Sequence, residues 1–190
     1  MKPSYNARGV GIYCTNLLNE IVTTGKGQTQ QQKVVQKYIE RPMLLQDKKS
    51  FWRRKFDFRQ WVLVMQWEPL EVYVFDGCYL KICGAEFDLG YSEDVLRHLS
   101  NYSLQKGPNK KELVMSSEEF EQYMAQALGR KWLWKEDMLP QIHSVVFRCL
   151  KSLQETQEQR QASFEIYGFD IVLDEELRPW VIEINLSPAC

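Results

Sequence analysis

The sequence predicts an α+β fold, a largely antiparallel sheet with helices packed over it, on three observations. Residues 56–64 carry apolar side chains at Phe56, Phe58, Trp61 and Leu63, as a half-buried strand does. Two further strands, 163–173 and 179–185, are joined only by the polar turn Asp174-Glu175-Glu176-Leu177-Arg178. Between these strands, residues 116–128 and the stretch from Asp137 carry apolar residues at helical spacing.

The elements follow in order. Residues 11–22 suit a short helix carrying Ile12, Leu17, Leu18 and Ile21. The low-complexity run Gly25-Lys26-Gly27-Gln28-Thr29-Gln30-Gln31-Gln32 reads as a loop, and loops are predicted at 25–32 and 46–54. Residues 33–39 have the β-branched content of a strand, closed by Arg41-Pro42. Asp76-Gly77, flanked by apolar runs at 70–75 and 78–83, is a strong hairpin signal. Ser116 with Glu119 forms a capping box ahead of Phe120, Tyr123, Met124 and Leu128. The helix opened by Asp137 carries one apolar stripe, Ile142, Val145, Val146, Cys149, Leu150 and Leu153.

Composition excludes several classes. The chain has 190 residues, enough for one sizeable core, and is 44% hydrophobic and 13% aromatic, far from a disordered composition. No apolar run approaches the roughly 18 residues of a membrane helix, and the opening Met1-Lys2-Pro3-Ser4 predicts no secretory signal. Five scattered cysteines without a CxxC pair predict reduced thiols rather than zinc or a disulfide framework. A net charge of −1 gives no global attraction to nucleic acid. Charge is nevertheless uneven: Lys48, Lys49, Arg53, Arg54, Lys55 and Arg59 crowd one region, and the last thirty residues are acid-rich.

Four constellations could carry chemistry. In the terminal strand pair Asp170 stands in an otherwise apolar strand, while Glu183 and Asn185, two apart, share a face of its partner. Pairing puts Asp170 opposite Glu183, and two carboxylates with an amide oxygen suit a hard cation such as Mg²⁺. Spacing alone leaves a solvated hairpin face equally open. In 55–59, Lys55, Asp57 and Arg59 share one face and Phe56 and Phe58 the other. Arg59 can fork onto a phosphate or carboxylate and Asp57 can hold it. An ordinary surface ion pair explains the pattern as well. Residues 98–106, His98 to Lys106, are dense in hydrogen-bonding side chains and suit a catalytic loop or a polar surface loop. Residues 2–11, with Arg8 between Lys2 and the glycines Gly9 and Gly11, could bring backbone amides to phosphates without matching a Walker loop. The six tryptophans read as packing, and two histidines without GxSxG give hydrolytic triads and zinc catalysis no support.

In order along the chain, KPSYNARGVGI, VVQKYIERPMLL, KFDFRQWVLV, HLSNYSLQK and FEIYGFDIVLD with RPWVIEINLSP resemble the motifs of the tubulin tyrosine ligase-like family. The resemblance covers essentially residues 1–190 and implies an ATP-grasp fold, in which ATP lies between antiparallel sheets. It implies that Lys2, Arg8 and Gly9 meet phosphates and that Gln36, Lys37, Tyr38 and Ile39 frame adenine, the last two mainly through backbone. By the same resemblance Lys55, Asp57 and Arg59 would hold the transferring phosphate and the acceptor, Asn101 and Lys106 would line the site, and Asp170, Glu183 and Asn185 would ligate Mg²⁺. The implied reaction is activation of a carboxylate as an acyl-phosphate, followed by amide formation with an amino acid.

Within the family the motifs look closest to the branch that adds glycine to glutamate side chains of tubulin tails. Glutamylase and tyrosine ligase activities, or a catalytically inactive microtubule-binding fragment, remain the alternatives. The implied partners are tubulin or microtubules and an amino acid, with no nucleic acid and no membrane. The implied place is the cytoplasmic cytoskeleton, the cilium in particular. The sequence departs from the family at Lys81, where many members have arginine, since lysine lacks the fork. Its ends also fall short of the family pattern, so a partial ATP-grasp domain is expected.

Overall fold

In this computed structural model, residues 1–3, 9–26, 32–46, 51–105, 113–130, 132–158, 160, 162–186 and 188 are described, with backbone alone at 24–26. The chain divides into two compact units, Met1–Phe56 with Lys81–Leu113, and Asp57–Leu80 with Val114–Cys190.

The first unit opens with β1 (Lys2–Pro3), which pairs antiparallel with β2 (Lys33–Val34), Lys2 opposite Val34. Between them lies α1 (Leu18–Lys26). The helix predicted over 11–22 therefore starts later. Residues 9–11 form a turn in which Gly9 and Gly11 have φ near +78° and +77°, a conformation that stops a helix. The strand predicted over 33–39 is Lys33–Val34 among the described residues. β3 (Leu44–Gln46) pairs antiparallel with the first residues of β4 (Arg53–Gln66), which run on into the second unit. Hydrogen bonds from the Cys83 amide to the Lys55 carbonyl, 2.9 Å, and from the Phe87 amide to the Arg53 carbonyl, 2.9 Å, tie the later half of this unit to the same strand. The short helix α2 (Val95–His98) is capped by Asp94, whose Oδ1 accepts from the Leu96 amide at 3.1 Å.

The second unit is a sheet with strand order β6 (Val114–Ser116), β5 (Glu71–Ile82), β4, β7 (Glu165–Leu173), β8 (Pro179–Leu186). The β4–β7 and β7–β8 pairs are antiparallel. Asp76-Gly77 does not turn the chain. β5 runs straight through it, neither residue has the positive φ of a primed hairpin turn, and the reversal falls at 67–70 instead.

β4 alternates, with Phe56 and Phe58 buried as the sequence predicts together with Gln60, Val62 and Val64, whereas Trp61 and Leu63 stand half-buried on the opposite face. In the second unit that face is covered by α3 (Ser117–Leu128), a π-helical turn at Trp134–Met138 and α4 (Leu139–Leu153). Phe58 stacks on Trp134 at 5.3 Å and meets Phe120 edge-on at 5.2 Å. The Ser116–Glu119 capping box is present in both directions and Gly129 closes α3 in the left-handed conformation. Asp137 does not start the last helix. It lies inside the π-helical turn, and Pro140 occupies the first turn of α4, where a missing N–H costs no helical bond. Ile142, Val146 and Leu150 form the buried stripe of α4, while Leu153 is exposed. No helix among the described residues is long and apolar enough to cross a membrane. Cys14, Cys78, Cys83 and Cys149 are free thiols.

Candidate functional site

The predicted site residues fall into two groups, one in each unit, apart from Arg8 and Lys106, which lie outside the described residues. In the first unit Lys55 is half-buried on the face of β4 opposite Phe56. Its Nζ donates to the Tyr38 hydroxyl at 3.1 Å and to the His98 carbonyl at 3.0 Å, and lies 4.4 Å from the centre of the Tyr38 ring. Tyr38 Oη is 2.9 Å from His98 Nδ1, and His98 Nε2 is 3.0 Å from the Tyr91 carbonyl. The residue predicted to serve adenine mainly through its backbone thus has its side chain engaged with a cation.

Electrostatics follow from burial. Burial holds the Tyr38 hydroxyl well above the ordinary phenol range. It also pushes the His98 imidazole down, helped by Lys55 and Arg97 against the Tyr91 carbonyl and Asp94. His98 is 3% exposed, so the polar run at 98–105 is not a surface loop at its start.

Other members of this unit are more scattered. A Cβ added at Gly9 would meet Leu104 Cδ1 at 2.7 Å and Asn101 Oδ1 at 2.8 Å, so the glycine turn packs directly on the Asn101 loop. Gln36 and Lys37 are exposed, and Lys37 pairs with Glu40. Ile39 is half-buried and Lys81 is buried, next to Ile82 and Cys83.

In the second unit, Arg59, Asp170 and Glu183 lie opposite one another on the adjacent strands β4, β7 and β8. Arg59 Nε donates to Asp170 Oδ1 at 2.7 Å and Nη2 donates to Oδ2 at 3.2 Å, a bidentate fork. Both side chains are largely enclosed, 13% and 12% exposed. The sequence pointed to Asp57 as the carboxylate holding Arg59, and Asp170 holds that fork instead. Two residues apart on one strand, side chains extend in parallel, whereas a cross-strand partner stands about 5 Å away and faces in. Burial alone would lower the Arg59 guanidinium, but its bonds and attraction to Asp170, with Tyr79 and Asp57 beyond, outweigh that and raise it.

Two neighbours shape this row. Gly168 stands two residues before Asp170 on β7, opposite Trp61 and Asn185. A Cβ there would meet Pro188 Cβ at 2.7 Å and Arg59 Cδ at 3.0 Å, so a glycine is what lets the Arg59 stem lie flat across β7. Asn185 Nδ2 lies 3.4 Å from Asp170 Oδ2 and 3.4 Å from the Gly168 carbonyl. A bulge follows Asp170, where Ile171 pairs with Val181 rather than Ile182. Beyond it, Asp174 collects the Glu176 and Arg178 amides, Arg178 Nε and Trp180 Nε1 between 2.8 and 3.0 Å, which closes the β7–β8 turn.

The donor set fits a hard cation. No group of three or more His, Cys, Asp or Glu suited to a metal occurs among the described residues. Asp170, Glu183 and the Asn185 amide nevertheless bring oxygen donors to one face, the ligand type magnesium takes when substrate and water complete its shell.

The model of the tubulin-tyrosine ligase family matches residues 1–190. Among curated proteins, the chain is 41% identical to "Tubulin glycylase 3E" of Tetrahymena thermophila, over 100% of this chain and 14% of the relative. It is 39% identical to "Tubulin monoglycylase TTLL3" of Danio rerio, over 100% of this chain and 25% of the relative. It is 35% identical to "Protein monoglycylase TTLL8" of Mus musculus, over 100% of this chain and 23% of the relative. The chain thus spans a quarter or less of the length of these relatives.

Proposed function

The chain belongs to the tubulin-tyrosine ligase family, and on that premise we propose that it is the nucleotide-binding part of an ATP-dependent ligase that joins glycine to glutamate side chains of tubulin tails. The observation that supports this most is the row Arg59–Asp170–Glu183, with Asn185 beside it. It sets a cation capable of forking onto phosphate or carboxylate next to three oxygen donors suited to magnesium. When bound, ATP with magnesium supplies the phosphoryl group that turns a carboxylate into an acyl-phosphate open to an amine.

The chain's own residues then divide the work. Asp170, Glu183 and Asn185 hold the metal. Asp170 so engaged would leave the Arg59 fork to meet anionic oxygens of the substrates. Lys55 offers an ammonium held by the Tyr38 hydroxyl and the His98 carbonyl, two neutral oxygens that do not themselves cancel its charge toward phosphate. Lys2, Arg8 and Gly9 approach the phosphates, Gln36, Lys37, Tyr38 and Ile39 the adenine, Asn101 and Lys106 line the nucleotide site, and Asp57 and Lys81 meet the reacting groups. Acidic tubulin tails are drawn by the basic segment that includes Lys48, Lys49, Arg53 and Arg54, an attraction that weakens with salt. The work is placed on microtubules, in cilia foremost.

The test is incorporation of radiolabelled glycine, with glutamate and tyrosine in parallel, into purified tubulin by the chain with Mg-ATP. Glycine label that disappears without magnesium and in Glu183→Gln is expected. Incorporation of glutamate or tyrosine instead would reassign the branch, and binding to microtubules with no incorporation would leave a non-catalytic module.

A further inference from the structure

We propose that His98 is a positioning residue, acting as a neutral imidazole through the Tyr38 hydroxyl to fix the ammonium of Lys55. The inference rests on the reading of Lys55 as a contact to the nucleotide phosphates.

The direction of each hydrogen bond carries it. A backbone carbonyl only accepts, so the 3.0 Å contact between His98 Nε2 and the Tyr91 oxygen requires the proton on Nε2. In the neutral ring Nδ1 is then a lone pair, and the group 2.9 Å away that can fill it is the Tyr38 O–H. With its proton committed to His98, Tyr38 Oη presents lone pairs to its other neighbour, Lys55 Nζ at 3.1 Å. His98 supplies the second anchor as well, since its own carbonyl accepts from Lys55 Nζ at 3.0 Å. One buried residue thus holds a flexible ammonium by its main chain directly and by its ring through a phenol. Phe87, edge-on at 5.8 Å, and Tyr38, edge-on at 5.6 Å, keep the imidazole plane fixed.

The arrangement is sensitive to a single proton. A proton on Nδ1 would face the Tyr38 O–H head-on and would place a second cation close to Lys55. The groups around the ring are Lys55 from β4, Tyr38 and the Tyr91 carbonyl from neighbouring segments, and Asp94 and Arg97 from the α2 turn. Lys55 and Arg97 oppose the imidazolium and Asp94 favours it; burial adds to the opposition. The neutral ring is therefore the working form, and acid disconnects Lys55 from its support.

Three variants test this on the chain: His98→Leu removes the acceptor, Tyr38→Phe removes the relay, and His98→Asn puts an amide oxygen where Nδ1 stood. Two quantities are read: the dissociation constant of Mg-ATP by calorimetry, and the rate at which Lys55 is acetylated by an amine reagent, mapped by mass spectrometry. His98→Leu and Tyr38→Phe should each weaken Mg-ATP about tenfold, the size of one lost bond to a charged group, and the double variant should lose no more than either. Both should expose Lys55 to faster acetylation. His98→Asn should restore both quantities to within about threefold and flatten the loss of affinity that the wild type shows from pH 7.5 to 5.5.

Unchanged affinity in His98→Leu, or fully additive losses in the double variant, would overturn the relay. If His98→Leu does not fold, Tyr38→Phe carries the same comparison, because it deletes one oxygen and keeps the ring. If the wild type binds no Mg-ATP, the ligase reading falls, and the acetylation rate alone decides: equal Lys55 labelling in wild type and Tyr38→Phe defeats the proposal.

Discussion

Lys55 and Arg59 stand four residues apart on one strand, on the same side of its pleat, yet they are held by opposite means. Lys55 is fixed by a phenol oxygen and a main-chain carbonyl, both neutral. Arg59 is fixed by the carboxylate of Asp170, whose charge cancels its own. The difference teaches what each cation is prepared to do. Neutral acceptors orient a charge without cancelling it, at the cost of a network in which every proton must be in place. A bidentate carboxylate holds the guanidinium firmly, and the guanidinium turns to another anion only when something else engages the carboxylate.

The comparison breaks most severely at Asp170. Asp170→Ala leaves an enclosed guanidinium without its counter-charge, which costs about 3 kcal/mol by the usual penalty for halving a buried pair. Chemical denaturation should show that loss, and calorimetry should show no magnesium-dependent ATP binding. Glu183→Gln, one strand further along the row, should lose the magnesium dependence with a thermal transition close to wild type. If both variants lose stability equally, Glu183 is part of the structural pair and not of a metal site.

A smaller effect is expected at the turn that joins β7 to β8. Asp174→Ala deprives two backbone amides, an arginine and an indole of one shared acceptor. The loss should be about 2 kcal/mol, as for removal of a charged hydrogen-bond partner. Burial raises the Asp174 carboxyl, but the donors from Trp180 and Arg178 outweigh it and leave it below the ordinary value. The native state therefore binds this proton less readily than the unfolded chain. Its contribution is complete above the unfolded value, about pH 4, and fades as pH falls through the folded one. Acid titration of the wild type against Asp174→Ala should converge below that range.

Gly168 sharpens the comparison without touching a charge. In Gly168→Ala the new methyl crowds Arg59 Cδ and Pro188 Cβ, so either the arginine stem or the chain at Pro188 shifts. About 1 kcal/mol of destabilisation is expected from that overpacking. The telling measurement is Mg-ATP affinity, which should fall through displacement of Arg59 while Lys55 acetylation stays at the wild-type rate.

Much of this could be read in the sequence where the interaction is local or periodic. Alternation separated Lys55, Asp57 and Arg59 from Phe56 and Phe58, and the capping box fixed the start of α3. The short turn at 174–178 was enough to pair the two strands, but its register alone would set Asp170 against Ile182, and the bulge after Asp170 is what brings Glu183 opposite it. What stayed hidden depends on long separations or on competition between signals. The Arg59 fork reaches across 111 residues to Asp170, and a nearer carboxylate, Asp57, masked it. Lys55 meets Tyr38 and His98 across 17 and 43 residues, and Tyr38 meets His98 across 60. Nothing in a polar run such as 98–105 reveals that its first residue is buried. Asp76-Gly77 carries the composition of a turn, but the reversal at 67–70 had already paired β5 along β4.

The smallest effect expected is the acid response of the His98 side of the comparison. A buried imidazole whose value is lowered takes up its proton at lower pH in the native state than in the unfolded chain. Between the lowered value and the unfolded one, about 6.5, the unfolded chain holds more protons, so stability rises with pH across that window. Cooling of the thermal transition should therefore begin as pH drops below about 6.5, well before the carboxylates titrate. His143 contributes in the same sense, because burial lowers it too, with Asp76 opposing. The measurement is accordingly a difference: transition temperatures of wild type and His98→Asn from pH 7.5 to 5, at fixed ionic strength. The variant keeps an acceptor for Tyr38 and removes the titration together with the bond to the Tyr91 carbonyl and the ring contacts. Those losses lower its curve at every pH, so its slope should still be flatter than the wild-type slope while His143 titrates in both. Parallel curves would mean that the His98 imidazole is not held neutral by its surroundings, and the contrast between a proton-dependent hold on Lys55 and a charge-paired hold on Arg59 would lose its first half.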